Sequence, residues 1–244
     1  MNIVIASKNK KKIEEITRIL DNPPYPPLAR PASRPPVVRR AGSEAGEKWG
    51  QPSRLSIGGK RELESALLLR IFTLNDFPGC PDVIEDGETF EANAVKKAIS
   101  VAKFTGMTSL ADDSGLEVYA LNRAPGVLSA RYAGEDADDK RNVEKLLYEM
   151  RSFTGDKRKA RFVCSVALAS PEGNKNTFFG YIEGTIGTEP KGTGGFGYDP
   201  VFYPEGYTKA FSEMDESEKD SISHRGMAIK KACQALLKEY KKKL

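Results

Sequence analysis

The chain has 244 residues, 39% hydrophobic and 30% charged, the balance of a soluble globular protein with one large domain or two small ones. No apolar run approaches the length of a bilayer span, and residues 1–8 place a short apolar stretch ahead of the lysines, unlike a secretory leader, so a cytoplasmic protein is expected. The formal charge of +4 is concentrated: residues 23–60 carry a net +5 and the remainder −1, so the basic character belongs to one segment and not to the fold.

Residues 1–6 read as a short apolar strand, and residues 10–20 as a helix with Ile13, Ile16 and Leu20 on one face. The pattern is then interrupted at about 23–68. Eight of the fifteen prolines fall in residues 23–60, and residues 30–56 show neither a period of 2 nor one of 3.6. Such a segment is expected to be a disordered or extended insertion, far longer than an ordinary connection, although residues 63–69 suit a helix. Residues 70–74 follow as a strand, and residues 89–105 as a helix burying Phe90, Ala94, Ala98 and Val101 and ending at Gly106. Residues 107–111 and 116–121 read as two strands around a turn, Asp112-Asp113-Ser114-Gly115. A helix over 138–151 places Val143, Leu146, Leu147 and Met150 at helical spacing. Two β segments, 161–169 and 177–187, flank the turn signal Pro171-Glu172-Gly173. The last helix, 225–240, repeats Ile229, Ala232, Cys233, Leu236, Leu237 and Tyr240. Strands and helices interleave without strict βαβ repetition, giving an α/β or α+β fold with a mixed sheet.

Cys80, Cys164 and Cys233 lie far apart and form no CxxC pair, so neither a disulfide framework nor a zinc ribbon is indicated. His224 is the one histidine, which excludes two-histidine metal sites. A metal in this protein must be held by carboxylate oxygens, which favours magnesium or manganese.

Four stretches at element ends carry chemistry. Ser7-Lys8-Asn9-Lys10-Lys11-Lys12 opens the first helix, where backbone amides and lysines make a site for an anion; a solvated basic turn is the competing reading. Glu85-Asp86-Gly87-Glu88, with Glu91, Asn93 and Lys97, either offers metal-binding carboxylates or complements a helix dipole. Asp112 and Asp113 follow an apolar strand, and alternation sends their side chains in different directions, so one could face a metal or water while the other caps the turn. Residues 192–200 contain GxGxxG, but an extended Tyr-Asp-Pro-Val-Phe-Tyr-Pro stretch follows it in place of a helix, so the dinucleotide fingerprint fails. A Gly-rich loop with Phe196, Tyr198 and Asp199 could close over a flat ring, or be a plain hairpin. Lys219, His224 and Arg225 then lead into the last helix, where the dipole favours a neutral imidazole able to donate and accept. Together these features describe a nucleotide site with magnesium.

The motifs resemble those of the non-canonical purine NTP pyrophosphatases, the inosine and xanthosine triphosphate-hydrolysing family. The matching text is Ser7-x-Asn9-x-x-Lys12, Glu85-Asp-Gly-Glu-Thr-Phe-Glu, Asn93-Ala-x-x-Lys97-Ala, Ala111-Asp-Asp-Ser-Gly-Leu, Ala124-Pro-Gly-Val-x-Ser-Ala-Arg-Tyr-Ala-Gly134, Gly194-Gly-Phe-Gly-Tyr-Asp-Pro200 and Ser223-His-Arg-Gly226. The resemblance implies an elongated, mixed, twisted β-sheet flanked by helices, with a substrate cleft between two lobes, usually in a homodimer. It implies one nucleoside-triphosphate pyrophosphatase domain over 1–244, departing from the family pattern by the 23–68 insertion. Ser7, Asn9 and Lys12, in the stretch that also holds Lys8, Lys10 and Lys11, would bind the triphosphate with help from Lys97. Glu85 and Asp113 would hold Mg²⁺ (or Mn²⁺), Asp113 would be the general base, and Ser114 would touch substrate. Phe196, Gly197, Tyr198, Asp199, Lys219, His224 and Arg225 would bind and select the base. The implied substrates are ITP, dITP and XTP, with neither a membrane nor a nucleic acid as partner.

Two other readings remain open from the residues. One is a nucleotide- or nucleic-acid-binding module without catalysis, using the basic insertion as an arm; it predicts salt-sensitive binding lost on deletion of residues 23–60. The other is a pyrophosphatase for modified pyrimidine nucleotides, separable by relative turnover of purine and pyrimidine triphosphates.

Overall fold

A computed structural model describes residues 2–21, 70–136 and 138–241. The 23–68 insertion, with the helix expected at 63–69, lies outside the described residues.

Six strands form one mixed sheet in the order β2-β1-β3-β4-β5-β6. β1 (Asn2–Ile5) lies between β2 (Arg70–Thr73) and β3 (Thr108–Val118), parallel to both. β4 (Lys159–Ala169), β5 (Lys175–Ile186) and β6 (Phe202–Pro204) continue antiparallel from β3. The helices are α1 (Lys10–Asp21), α2 (Phe90–Thr105), α3 (Asp139–Glu149), α4 (Glu216–Ile222) and α5 (His224–Lys241).

Alternation along β1 divides the core. Ile3 and Ile5 pack with Ile16 and Leu20 of α1 and Ile229 and Leu236 of α5, whereas Val4 and Ala6 face Ala94, Ala98 and Val101 of α2. Each fully buried aliphatic side chain contributes on the order of 1.5–3 kcal/mol to these layers. A further cluster joins Leu116 and Val118 of β3 to Val143, Leu146 and Met150 near α3 and to Phe202 and Phe211. α2 begins with Thr89 accepting the Ala92 amide at 3.1 Å and ends at Gly106, whose φ of 67° closes the helix as its sequence implies.

Three expectations are corrected. Asp112-Asp113-Ser114-Gly115 is not a turn: β3 runs unbroken through it, pairing with β4 from Ser109↔Ala169 to Val118↔Ala160. Turn propensity gives way to ten consecutive cross-strand pairs; residues 119–121, read as strand, form a 3₁₀ turn. The chain after the Gly-rich loop is not wholly extended, since Asp199–Val201 is a 3₁₀ turn before β6. α4 was not foreseen; Asp215 caps it by accepting the Glu218 amide at 2.7 Å, and the Asp-x-x-Glu spacing was its legible signal.

Candidate active site

β1 ends at Ile5, and Ala6 N makes one more bond, 2.8 Å to Leu110 O. β3 continues to Val118 with β4 alongside; on the β1 side no strand among the described residues pairs with residues 111–115, and the edge is covered again only where Pro125 bridges Glu117 and Val118 N donates to Ala124 O at 3.1 Å. A cleft of about 380 Å³ lies there, lined by residues from both chain termini of the fold and from β3, α2 and α3. Because this stretch of edge is open, side chains from both faces of β3 reach the same cleft: Asp113 and Ser114 line it together with the Gly115 backbone.

One end is cationic. Asn9 caps α1 by accepting the Lys12 amide at 3.1 Å, and Ser7 Oγ accepts the Asn9 amide at 3.2 Å. Ser7, Lys8, Asn9 and Lys12 line the cleft at this helix start, where amides and lysines favour an anion. Lys8 is ion-paired with exposed Asp82 across the opening. Lys10 and Lys11 do not line the cleft; Lys11 Nζ reaches Gly195 O at 3.3 Å instead.

The paired aspartates part as strand alternation requires. Asp112 faces α1 and α5, with Lys12 Nζ at 3.3 Å and Arg225 Nε at 3.1 Å. Burial opposes its charge, but Lys12 and Arg225 outweigh burial and hold its carboxyl far below the ordinary range. Asp113 faces α2, where Asn93 Nδ2 donates to Oδ2 at 3.0 Å and Ser114 N donates to Oδ1 at 3.0 Å. Burial pushes Asp113 up to about 6; Lys97 and Lys12 oppose the shift, and Glu85 adds to it. A carboxyl so placed changes protonation close to neutral pH, as a general base must.

Lys97 Nζ lies 3.0 Å from Glu85 Oε2 and 3.8 Å from Asp113 Oδ1. An ammonium therefore balances two converging carboxylates whose oxygens are the donors a hard divalent cation takes. Among the described residues no group of three or more His, Cys, Asp or Glu gathers as a metal cluster, so such a cation would complete its shell with phosphate and water.

The other end is aromatic and polar. Asp199 Oδ2 accepts Lys219 Nζ at 2.5 Å and the Phe196 amide at 2.8 Å, folding the Gly-rich loop back on itself. Gly195, with φ of 71°, has no room for a Cβ beside that carboxylate. The Phe196 ring lies 5.1 Å from Lys219 Nζ and 5.4 Å from the Arg225 guanidinium carbon. Tyr198 is buried, its hydroxyl donating to Ser129 O at 2.9 Å, and with Gly197 it lines the cleft. Ser223 caps α5 by accepting the Gly226 amide at 3.0 Å, placing His224 and Arg225 in its first turn. His224 stacks on Phe162 at 4.7 Å, and its Nδ1 has no partner among the described residues. Burial first, then Arg225 and Lys219, keep it neutral well below its usual range. Arg225 is committed on all sides, donating 2.7 Å to Glu15 Oε2, 3.1 Å to Asp112 Oδ2 and 2.7 Å to Ser114 Oγ.

Every proposed site residue except Lys10 and Lys11 thus lines one cleft. Sequence reasoning missed Phe162, Asn142, Arg131 and Asp139 on its wall and Glu15 behind it. Arg131, which donates to Glu85 O at 3.2 Å, lies within a motif already quoted, whereas Glu15 reads as an ordinary helix-surface charge. Asn93, noted without a role, proves to be a partner of Asp113.

A cleft cationic at one end and aromatic at the other, set at a sheet edge with a buried carboxyl between, fits a nucleotide-binding α/β protein. The chain belongs to the Ham1 family, whose model matches residues 59–235. It is 52% identical over 171 residues to a dITP/XTP pyrophosphatase of Desulforamulus reducens, an alignment covering 70% of this chain and 85% of that protein. It is 40% identical to the dITP/XTP pyrophosphatase of Geobacter sulfurreducens over 98% of this chain and 95% of that one. Among solved structures, a HAM1 protein from Coxiella burnetii matches with TM-score 0.72 and 34% identity, covering 98% of this chain and 99% of that chain. The Staphylococcus aureus Ham1 protein matches with TM-score 0.71 and 33% identity, over 98% of this chain and 100% of that chain.

Proposed function

We propose that this protein hydrolyses non-canonical purine nucleoside triphosphates (ITP, dITP and XTP) to the monophosphate and pyrophosphate, and so cleanses the nucleotide pool. The observation that carries the reading is the convergence of Asp113 and Glu85 on Lys97 inside a cleft whose far end holds Phe196 and Lys219. The activity for which its dITP/XTP pyrophosphatase relatives are named agrees with it.

In this mechanism the triphosphate lies along the α1 N-terminus, held by its amides and by Ser7, Lys8, Asn9 and Lys12, with Lys97 beside it. Asp113, oriented by Asn93 and the Ser114 amide, takes the proton of a water attacking the α-phosphorus. Glu85 and Asp113 would hold a divalent cation, Mg²⁺ or Mn²⁺, which supplies charge stabilisation on the phosphate and leaving oxygens. Asp112 takes no proton: its low pKa and its contacts with Lys12 and Arg225 make it a structural anion that holds the phosphate-end lysine in place. At the base end, Phe196 stacks on the ring, while Lys219 and neutral His224 present donors to the 6-oxo group of hypoxanthine or xanthine. An adenine amine there leaves a buried donor unpaired, which sets the discrimination against ATP.

One catalytic domain over 1–244, interrupted at 23–68, belongs to the same reading, as does a homodimer, which rests on the family resemblance. Action in the cytoplasm is supported by Cys80, Cys164 and Cys233 being free thiols, and no described helix is long and apolar enough to cross a membrane. The test is incubation with Mg²⁺ and ITP, XTP, dITP, ATP, GTP or dUTP, with pyrophosphate assayed against orthophosphate. Pyrophosphate from ITP and XTP and little from ATP or GTP is expected; orthophosphate would mean attack at the γ-phosphorus and a different mechanism.

A further inference from the structure

Three consecutive residues at the tip of the Gly-rich loop are gripped by side chains from three different elements. Phe196 N is taken by Asp199 within the loop's own turn, at 2.8 Å. The next amide, Gly197 N, donates to Asp139 Oδ2 at 2.8 Å, and Asp139 is the first residue of α3. From α1, Lys11 Nζ donates to Gly195 O at 3.3 Å, with its ammonium 6.0 Å from the Phe196 ring centre. α1 packs in the cluster built on Ile3, Ile5 and α5, whereas α3 packs in the cluster built on Leu116 and Phe202. The loop tip is therefore tied to elements of two separate core clusters.

Gly195 and Gly197 have φ of 71° and 61°, so Phe196 sits between two left-handed residues, outside any helix or strand. A segment of that kind has no ladder of its own to fix it, and the side chains that hold its backbone set the tilt of the ring. The cations beside Phe196 attract its face but do not define its orientation.

We propose that Asp139, assisted by Lys11, is a positioning residue that latches the loop tip and so holds Phe196 against the base of the nucleotide; the proposal rests on the nucleotide reading above. Asp139 forms no hydrogen bond or ion pair with Glu85, Lys97 or Asp113. Its effect falls on the purine and not on phosphate chemistry. It also explains why the lysine run continues to Lys11, which does not line the cleft.

The test uses Asp139→Ala and Asp139→Asn in the full chain. Asp139 is exposed, and α3 is capped independently by Asp138, which accepts the Arg141 amide at 2.8 Å, so both variants retain their helix start. The expected result for Asp139→Ala is a rise of about 3- to 10-fold in KM for ITP and in the inhibition constant of IMP, with kcat changed less than about 2-fold. The inhibition constant of tripolyphosphate stays unchanged, and Asp139→Asn, whose amide oxygen still accepts, recovers most of the loss. An unchanged IMP constant, or a tripolyphosphate constant that rises equally, would overturn the proposal. A readout free of turnover comes from Phe196→Trp in a Trp49→Phe background: adding Asp139→Ala, or separately Lys11→Met, increases acrylamide quenching of the new indole. Unaltered quenching overturns the latch. Increased quenching in a protein that does not hydrolyse ITP supports the latch while contradicting the proposed reaction.

Discussion

Arg225 Nη1 stands 2.7 Å from Glu15 Oε2, an ion pair in which each side chain is only 3% exposed, and it joins the first helix of the chain to the last. The same guanidinium holds Asp112 and Ser114 on β3, so one residue locks α1, β3 and α5 at the cleft floor. Burial opposes the charge on Arg225, and Glu15 and Asp112 more than restore it. Its place in this network makes Arg225 a structural residue of the site, whatever it adds as the proposed contact for the base.

Removing Arg225 leaves the buried Glu15 carboxylate without its ion-pair partner and Asp112 with Lys12 alone. Arg225→Ala is expected to destabilise the protein by about 3–5 kcal/mol, read as a large fall in the denaturation midpoint. Glu15→Gln, which keeps shape and an acceptor, costs less. Equal stability of Arg225→Ala and the unaltered protein would show that the network carries no such energy.

As the proposed general base, Asp113 is expected to set the pH dependence of activity. Its carboxyl titrates near 6 against an ordinary 3.8, so kcat/KM measured without excess metal climbs as pH rises through about 6. A raised carboxyl pKa means that the folded state binds the proton more tightly, so this group's contribution to stability is present below about 4 and is lost as pH passes 6. Asp113→Asn should therefore lower kcat by at least about 100-fold and leave the melting temperature at pH 7.5 equal or higher. A strongly destabilised Asp113→Asn protein would contradict this balance.

His224 has the opposite sign. Its folded pKa lies well below 6.5, so its contribution to stability is complete above 6.5 and is lost as pH falls below that value. The stability difference between the protein and His224→Gln, measured from pH 7.5 to 5, isolates this effect because Asp113 titrates in both. The difference should shift in favour of the variant at the acid end; a flat difference would show His224 to be free to charge.

Gly180 on β5 packs against the start of α5, and an added Cβ would strike His224 O and lie 2.8 Å from Ala228 N. Both are backbone atoms that cannot turn aside. Gly180→Ala should cost about 1–3 kcal/mol and, by displacing His224 and Arg225, weaken discrimination between ITP and ATP. Thermal denaturation and the ratio of kcat/KM values check the two parts separately.

Glu85 lies with Asp113 around Lys97, so metal dependence should pass through it. Chelation with EDTA is expected to abolish hydrolysis, and Glu85→Gln to raise the Mg²⁺ concentration for half-maximal rate by about 10-fold or more. An unaltered Mg²⁺ dependence in Glu85→Gln would remove Glu85 from the proposed ligand set.

Local physics was enough to read most elements. Apolar spacing gave α2, α3 and α5 nearly to their ends, because a helix or strand buries one face and its sequence must repeat accordingly. Alternation separated Asp112 from Asp113, and they do serve opposite faces of β3. The motif residues could be named because the anion site, the carboxylates and the ring-binding loop each need particular side chains. What the sequence could not determine was that two acidic residues, a serine and a glycine, all turn formers, run straight through a strand. That depends on β4 supplying partners such as Val166 for Asp112 and Val163 for Gly115, far outside any local window. Nor could it tell that β1 stops at Ile5 and leaves the middle of the β3 edge open, or that Glu15 and Asp139 reach Arg225 and Gly197. Strand lengths, open edges and pairings between distant residues are set by tertiary packing, and it is packing that turns separate motifs into one cleft.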